Sequence, residues 1–365
     1  MISVKRINIQ ELEKLVFSPS YAEWDIIPIS RHRAKSYINN PRCTPTDIVL
    51  YLAYIENKLV GYRTIMPDTI FDNDKTIKVG WLSGNWVSPL FRRKGIASIL
   101  FDAAYNDWDG NLLYTNYAEE SKAVYDKTSL FAEAVTLKGT RTYIRPCLAK
   151  ILPQKHNSLK RLKPLWQLAD FILTILNPIP LFARAICLKN ISLEYLNEPD
   201  NEVISLFESA TKKLSTKRVG TDLQWIVRFP WLISSPLGDR IGEKYFFSSS
   251  PKKFEQQIIK VFRTSHLIGI MVMNSKDGFA TTPYIVCGVA ETKTMAKIVI
   301  KQANAMGCYR VTTYHTVISD EINRMRPFKW TSLAQKRNFY VTQNLLNKLN
   351  TNVSFAEGDG DCAFV

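Results

Sequence analysis

The sequence predicts an α/β (α+β) chain built around a mixed sheet, and it predicts that architecture twice. Three observations carry this reading. Residues 48–66, IVLYLAYIENKLVGYRTIM, form two strands about a short polar turn at Glu56–Lys58, because β-branched and aromatic residues dominate both arms. A strand at Ile77–Val87, a helix at Ile96–Trp108 and a strand at Leu112–Tyr117 follow. A similar series then returns: SHLIGIMVM at Ser265–Met273 repeats the polar turn, paired aliphatics, glycine and extended arm of NKLVGYRTI at Asn57–Ile65.

Each element has its own signal. In the first helix the apolar residues Ile96, Leu100, Ala103, Ala104 and Trp108 recur at helical spacing. Ser121–Ala132, SKAVYDKTSLFA, reads as a short helix after the fourth strand. In the second copy, strand, helix and strand fall at Tyr284–Val289, Thr294–Ala305 and Tyr309–Tyr314. A chain of 365 residues exceeds one ordinary core. The expected division is a first domain at 1–148, a basic and apolar linker helix at 149–191, and a second domain at 192–365.

Composition narrows the function classes. The 48 basic against 33 acidic residues give a net charge of +15, which favours anionic partners such as phosphorylated cofactors, nucleic acid or an acidic membrane surface. The six cysteines form no CxxC pair and the four histidines show no ligand spacing, which argues against a metal centre. The opening MISVKRINIQELEKL lacks the shape of a signal peptide, so the expectation is a reduced, cytoplasmic protein.

Residues 150–189 carry seven Lys or Arg and one acid, Asp170, around the apolar centre LWQLADFILTILNPIPLFARAICL. Asp170, Asn177, Pro178, Pro180 and Arg184 interrupt it, which argues against a spanning helix. Two readings stand: a buried interdomain helix, or a basic amphipathic segment that makes peripheral contact with anionic lipid, in which case the protein would sit at the inner membrane.

The stretch WVSPLFRRKGIASIL, Trp86–Leu100, sets Arg92, Arg93 and Lys94 beside Gly95, where a strand gives way to a helix. A helix N-terminus offers unpaired amides and partial positive charge, glycine allows close backbone approach, and the cations add charge, so the stretch reads as a pyrophosphate cradle. Arg92-Arg93-Lys94-Gly95-Ile96-Ala97 resembles the R/Q-x-x-G-x-G/A signature of the GCN5-related N-acetyltransferase (GNAT) superfamily. The preceding Val87-Ser88-Pro89, the strand Tyr114-Thr115-Asn116 and Tyr125-Asp126-Lys127, which resembles the family's Y-E-K, agree with it. Ser129-Leu130 stands where the family usually has Gly-Phe, and Ala118 where it often has Asn.

The resemblance covers about residues 1–145. It implies an acyl-CoA N-acyltransferase fold with a mostly antiparallel mixed sheet, here in tandem, and an enzyme that passes an acetyl group from acetyl-CoA to a primary amine by direct attack. It implies that acetyl-CoA lies along the family's fourth strand, here near Asn85–Val87, held by Trp86, Val87, Arg92, Arg93, Lys94, Gly95, Ile96, Ala97 and Asn116, with Tyr125 protonating the leaving thiolate. No carboxylate lies in Trp81–Val87, so the general base stays unassigned: Ser83 and Asn85 can at most position a water, and Glu119 and Glu120 read better as a solvated pair.

The second copy has AETKTMAKIVIKQA where the cradle should recur, without glycine or clustered cations, and reads as a degenerate domain. Tandem relatives suggest an amino sugar or cell-surface glycan precursor as acceptor. An aminoacyl-tRNA-dependent peptidoglycan-type ligase and a non-catalytic CoA-binding or membrane-docked protein remain alternatives; the intact cradle argues against the first and against nucleic acid as a partner. The tail EGDGDCAFV reads as a glycine turn into a final short strand, and His315 as a structural residue.

Overall fold

The structure is a computed structural model that describes residues 1–115, 119–155, 157–235, 240–247, 250–325 and 329–364. The chain opens with β1 (Ser3–Asn8), α1 (Ile9–Phe17), α2 (Arg31–Ile38), β2 (Ile48–Ile55), β3 (Lys58–Asp72), β4 (Lys75–Val87), α3 (Ile96–Asp107), β5 (Leu112–Tyr114), α4 (Glu119–Thr128) and β6 (Phe131–Tyr143). Next come α5 (Leu148–Lys155), α6 (Lys163–Ile175), α7 (Ile179–Arg184), β7 (Ile191–Leu196), α8 (Asn201–Thr211), α9 (Gly220–Arg228) and β8 (Phe254–Arg263). The remainder is β9 (His266–Lys276), β10 (Phe279–Cys287), α10 (Thr292–Ala305), β11 (Arg310–Thr313), α11 (Thr316–Arg324), β12 (Thr331–Thr342) and α12 (Gln343–Lys348).

The expected hairpin is β2–β3, and its turn residues Glu56 and Asn57 both take positive φ, the pair of left-handed residues that a two-residue hairpin turn needs. The helix expected at 121–132 is shorter: α4 stops at Thr128, Ser129 turns the chain at φ +54°, and β6 begins at Phe131. β5 ends at Tyr114, and Asn116 and Tyr117 lie outside the described residues.

Two compact units emerge, and neither follows the linear division at 148 and 192. The first comprises residues 1–136, 197–254 and 337–365; the second comprises 137–196 and 255–336. In the first, the strand order is β1-β2-β3-β4-β5-β12, with β4 and β5 parallel and α3 crossing between them. In the second, the order is β7-β8-β9-β10-β11-β6, with β10 and β11 parallel and α10 crossing between them. The duplicated pattern is therefore a duplicated topology. The linear boundaries miss because the closing strands are exchanged: residues 340–341 of β12 pair with β5, and residues 140–143 of β6 pair with β11.

Within the first unit, Ile96, Leu100, Phe101 and Ala104 of α3 pack on Tyr51, Ala53, Val60 and Ile65 of the sheet. Within the second, Met295, Ile298 and Val299 of α10 pack with Ile259, Val261 and Met271. The expected linker is three helices, α5 to α7, that belong to the second unit, and α6 buries no residue, so it is not the buried interdomain helix the sequence suggested.

Inside the first unit a buried ionic network joins four distant segments. The Arg218 guanidinium contacts Asp68 at 2.6 Å and Asp359 at 2.9 Å, while Arg42 contacts Asp68 at 3.1 Å and Asp222 at 2.6 Å. Trp81 Nε1 donates to Asp68 and Thr216 Oγ1 to Asp359. Burial works to raise the Asp68 carboxyl, but Arg218, Arg42, the Thr69 amide and the Trp81 indole together hold it below its usual range. Burial pushes Asp359 up and the neighbouring Asp68 charge adds to this, with Arg218 offsetting only part.

A depressed carboxyl contributes stability that is present above its unfolded pKa of about 4 and is lost as the pH falls through its folded value. Asp359 has the opposite sign, because its native environment favours the neutral form. Asp68→Asn is expected to cost about 3 kcal/mol or more in urea unfolding at neutral pH, since it leaves Arg42 and Arg218 buried with less counter-charge. Asp359→Asn is expected to cost less, and equal losses would show that the two carboxylates share one charge state.

Candidate active site

β3 and β4 run antiparallel until Thr64, where the register shifts between the pairs Arg63↔Asn85 and Ile65↔Leu82. Two β4 residues, Ser83 and Gly84, then oppose one residue of β3, which makes a β-bulge. Thr64 Oγ1 accepts the Gly84 amide at 2.7 Å. Next to the bulge, β4 and β5 pair only at Gly80↔Leu112 and Trp81↔Leu113. From Leu82 to Val87 the side of β4 turned toward β5 has no strand partner among the described residues, so the two parallel strands part and leave a slot.

The turn after β4 leads into α3. Gly95 caps that helix at φ +78° with no side-chain capping bond, and a Cβ built on it would meet nothing within 4 Å. The amides of the first helical turn have no intrahelical acceptor. Arg92, Arg93, Lys94 and Gly95 are all exposed there, with Arg93 at φ +63°. Glycine also governs the approach of the helix to the sheet: a Cβ on Gly61 would come within 2.9 Å of Ile96 Cγ2. The strand, turn and helix thus bring Trp86, Val87, Arg92, Arg93, Lys94, Gly95, Ile96 and Ala97 into one continuous run, where the sequence predicts the cradle. Trp86 joins through its backbone, because its ring lies stacked on Tyr62 at 5.3 Å. Asn116 lies outside the described residues.

Tyr125 is buried in the aromatic cluster beneath α3, with Tyr114 at 4.6 Å, Phe131 at 5.4 Å and Phe101 at 5.8 Å between ring centroids. Arg63 Nη1 donates to its hydroxyl oxygen at 3.0 Å, which leaves the hydroxyl proton available to another acceptor. Arg63 is fully buried, yet its Nε and Nη2 have no hydrogen-bond partner, and Asn85 Oδ1, across the strand pair, is likewise unsatisfied. Such orphaned buried groups are costly and call for partners from a bound molecule or water. The sequence carried a signal for Arg63, a lone cation in the apolar arm LVGYRTIM at Leu59–Met66.

On the other face of the sheet, Arg33 of α2 donates to Tyr245 at 2.8 Å and to Ser83 Oγ at 2.6 Å, and Ser83 Oγ donates to Asp361 at 3.3 Å. The tail around Asp361 is a 3-10 turn, Gly360–Ala363, not the final strand the sequence suggested. It packs so tightly on Trp81 that a Cβ on Gly360 would come within 2.9 Å of the ring. Asp361 therefore stands beside the first residues of β4 beyond the slot's closed end. Burial pushes its carboxyl above the usual range, with Arg33, Arg337 and Ser83 offsetting part of that rise. Glu119 is exposed, and the Glu120 side chain lies outside the described residues.

Residues 9–116 match the sequence profile described as the acetyltransferase (GNAT) family. That match, over less than a third of the chain, marks residues 9–116 as a GNAT-like region. No curated protein gives a significant sequence match. Among solved structures, a GCN5-related N-acetyltransferase from Anabaena variabilis is 10% identical with a TM-score of 0.53, over 93% of this chain and 72% of its own. N-myristoyltransferase from Saccharomyces cerevisiae, solved with bound myristoyl-CoA, is 11% identical with a TM-score of 0.53, over 97% of this chain and 89% of its own. At such identities these likenesses show the acyl-CoA N-acyltransferase fold.

GNAT enzymes use acyl-CoA as donor, and the residues present suit it. The first unit has a glycine-capped helix end with three exposed cations, an edge of β4 without a strand partner among the described residues, and unsatisfied donors on Arg63. The second unit differs at the equivalent place: Glu291 caps α10 and pairs with Arg263 at 2.6 Å, which sets an anion where the first unit has cations. His315 of that unit caps α11 by accepting the Ile318 amide. Among the described residues no group of three or more His, Cys, Asp or Glu has metal-holding geometry.

Gly95→Glu is expected to weaken acetyl-CoA binding more than tenfold by calorimetry, because it sets an anion at the helix N-terminus. Gly95→Ala has open space for its methyl and should cost only the positive-φ strain, about 1 kcal/mol of stability.

Proposed function

We propose that the GNAT domain passes an acetyl group from acetyl-CoA to a primary amine by direct attack, with an amino sugar or a nucleotide-linked glycan precursor as the acceptor class. The observation that supports this best is the meeting of three features at one slot: the helix-end cradle, the unpaired edge of β4, and a buried carboxylate with a raised pKa. The net charge of +15 disfavours a polycationic acceptor and suits an amine carried on an anionic group.

Each residue has a definite task in this reading. The amides of α3 and the side chains of Arg92, Arg93 and Lys94 hold the pyrophosphate; the edge of β4 at Asn85–Val87 aligns the arm; and a backbone amide near Val87 polarises the thioester oxygen. Asp361 accepts a proton from the attacking amine, held in place by Ser83 and Arg33. Tyr125 gives its proton to the departing sulfur while Arg63 holds the phenol oxygen. Acyl-CoA supplies the activated carbonyl and a good leaving group.

For Asp361 as base, kcat/KM should rise with pH through an acidic limb above the ordinary carboxylate value of about 4. Asp361→Asn should abolish that limb and lower kcat by about 100-fold or more, with little change in acetyl-CoA affinity. Tyr125→Phe is expected to cost about tenfold or more in kcat, again at unchanged affinity. The measurement is thiol release across a panel of amine acceptors. Unchanged rates in both variants would remove both residues from the chemistry, and binding without turnover of any acceptor would favour a CoA-binding sensor.

A further inference from the structure

We propose that the helical segment α5–α7 of the second unit is a docking surface for an anionic lipid bilayer, lying in the interface without crossing it. This goes beyond the acyltransferase reading and does not depend on it. The observation is the surface of α6. Its half-buried side, Trp166, Ala169, Asp170 and Leu173, recurs at helical spacing. The outer side is apolar as well: Leu165, Leu168, Phe171, Ile172, Ile175 and Leu176 are between 49% and 71% exposed. A helix that is apolar all round is ordinarily buried, and one that presents a contiguous apolar face to water marks a contact site.

The helix is held as a fixed ledge. Asp170 accepts the Leu148 and Ala149 amides at 2.7 and 2.9 Å, which ties α6 to the start of α5. Asn177, buried at the foot of α6, donates to the Ile144 carbonyl and accepts from Trp330 Nε1. Ile179 and Ala183 of α7 are buried in the core of that unit, while Leu181 and Phe182 are exposed. The apolar face is therefore part of the folded unit.

Charge decides the occupant. Lys160, Arg161, Lys163, Arg184 and Lys189 flank the apolar face and are exposed, and the one acid between 150 and 189, Asp170, is engaged in capping α5. An apolar stripe bordered by cations complements the acyl and headgroup layers of an acidic bilayer. A second copy of this chain would bring like charges together on a molecule already at +15. No helix among the described residues is long and apolar enough to cross a membrane, so contact through this segment would be interfacial.

The test uses the full chain with vesicles of phosphatidylcholine alone and of phosphatidylcholine with about one-third phosphatidylglycerol, read by flotation. Binding is expected to be at least about tenfold stronger to the acidic vesicles and to weaken as salt rises from about 0.1 to about 0.5 M. Leu165→Asp with Phe171→Asp and Ile175→Asp should abolish it, and Lys160→Ser with Arg161→Ser and Lys163→Ser should remove the preference for acidic lipid. Circular dichroism and the melting midpoint report whether each variant stays folded. Absence of wild-type binding, equal binding to both vesicles, or undiminished binding by the folded apolar variant would overturn the proposal. So would a wild-type dimer in sedimentation velocity that ignores vesicles and that the apolar variant cannot form.

Discussion

The buried Arg218 cation is the constraint on which the first unit depends. It takes one carboxylate from β3 and one from the tail, so residues nearly 300 positions apart in sequence are tied through a single side chain. Burying charge is expensive, and the geometry is tolerable only because the partners are all present and further bonded by Trp81, Thr216 and Arg42. Asp361 follows Asp359 by two residues. The network that fixes the one therefore holds the other beside Ser83 of β4.

The slot itself is made by what the strands do not do. Parallel pairing of β4 with β5 lasts for two residue pairs among the described residues, the bulge at Ser83–Gly84 redirects the strand, and the chain continues into a turn with positive φ at Arg93 and Gly95. Gly95 leaves the helix amides open, and Gly61 lets that helix settle close to the sheet. The duplicated unit keeps the strand order and the crossover helix, but a glutamate paired to Arg263 stands at the corresponding helix end. The same scaffold thus carries an anion-attracting end in one unit and an anion-bearing end in the other.

Local features were legible in the sequence. The β2–β3 hairpin, β4, α3 and the cradle follow from alternation, helical spacing and the glycine beside three cations, all set by neighbours in the chain. The repeat was legible as well, because the glycine-centred arm recurs. What the sequence concealed depends on distant partners. Nothing in FAEGDGDCAFV discloses that Arg33, Arg218 and Arg337 enclose the tail, so its carboxylates read as turn residues. The strand exchange was equally hidden, since β6 and β12 have ordinary strand patterns that are silent about which sheet they join. The segment at 150–189 left burial and an exposed amphipathic face both open, and only the fold shows that one side of α6 faces water.

That exchange bears on how the molecule is made. The first unit lacks its closing strand and its tail until residues 337–364 are made, long after the turn at Arg92–Gly95. The first unit is therefore complete only after the intervening second unit has been made, and a chain stopped before residue 337 would hold the glycine-capped turn without the Arg218–Asp359 pair.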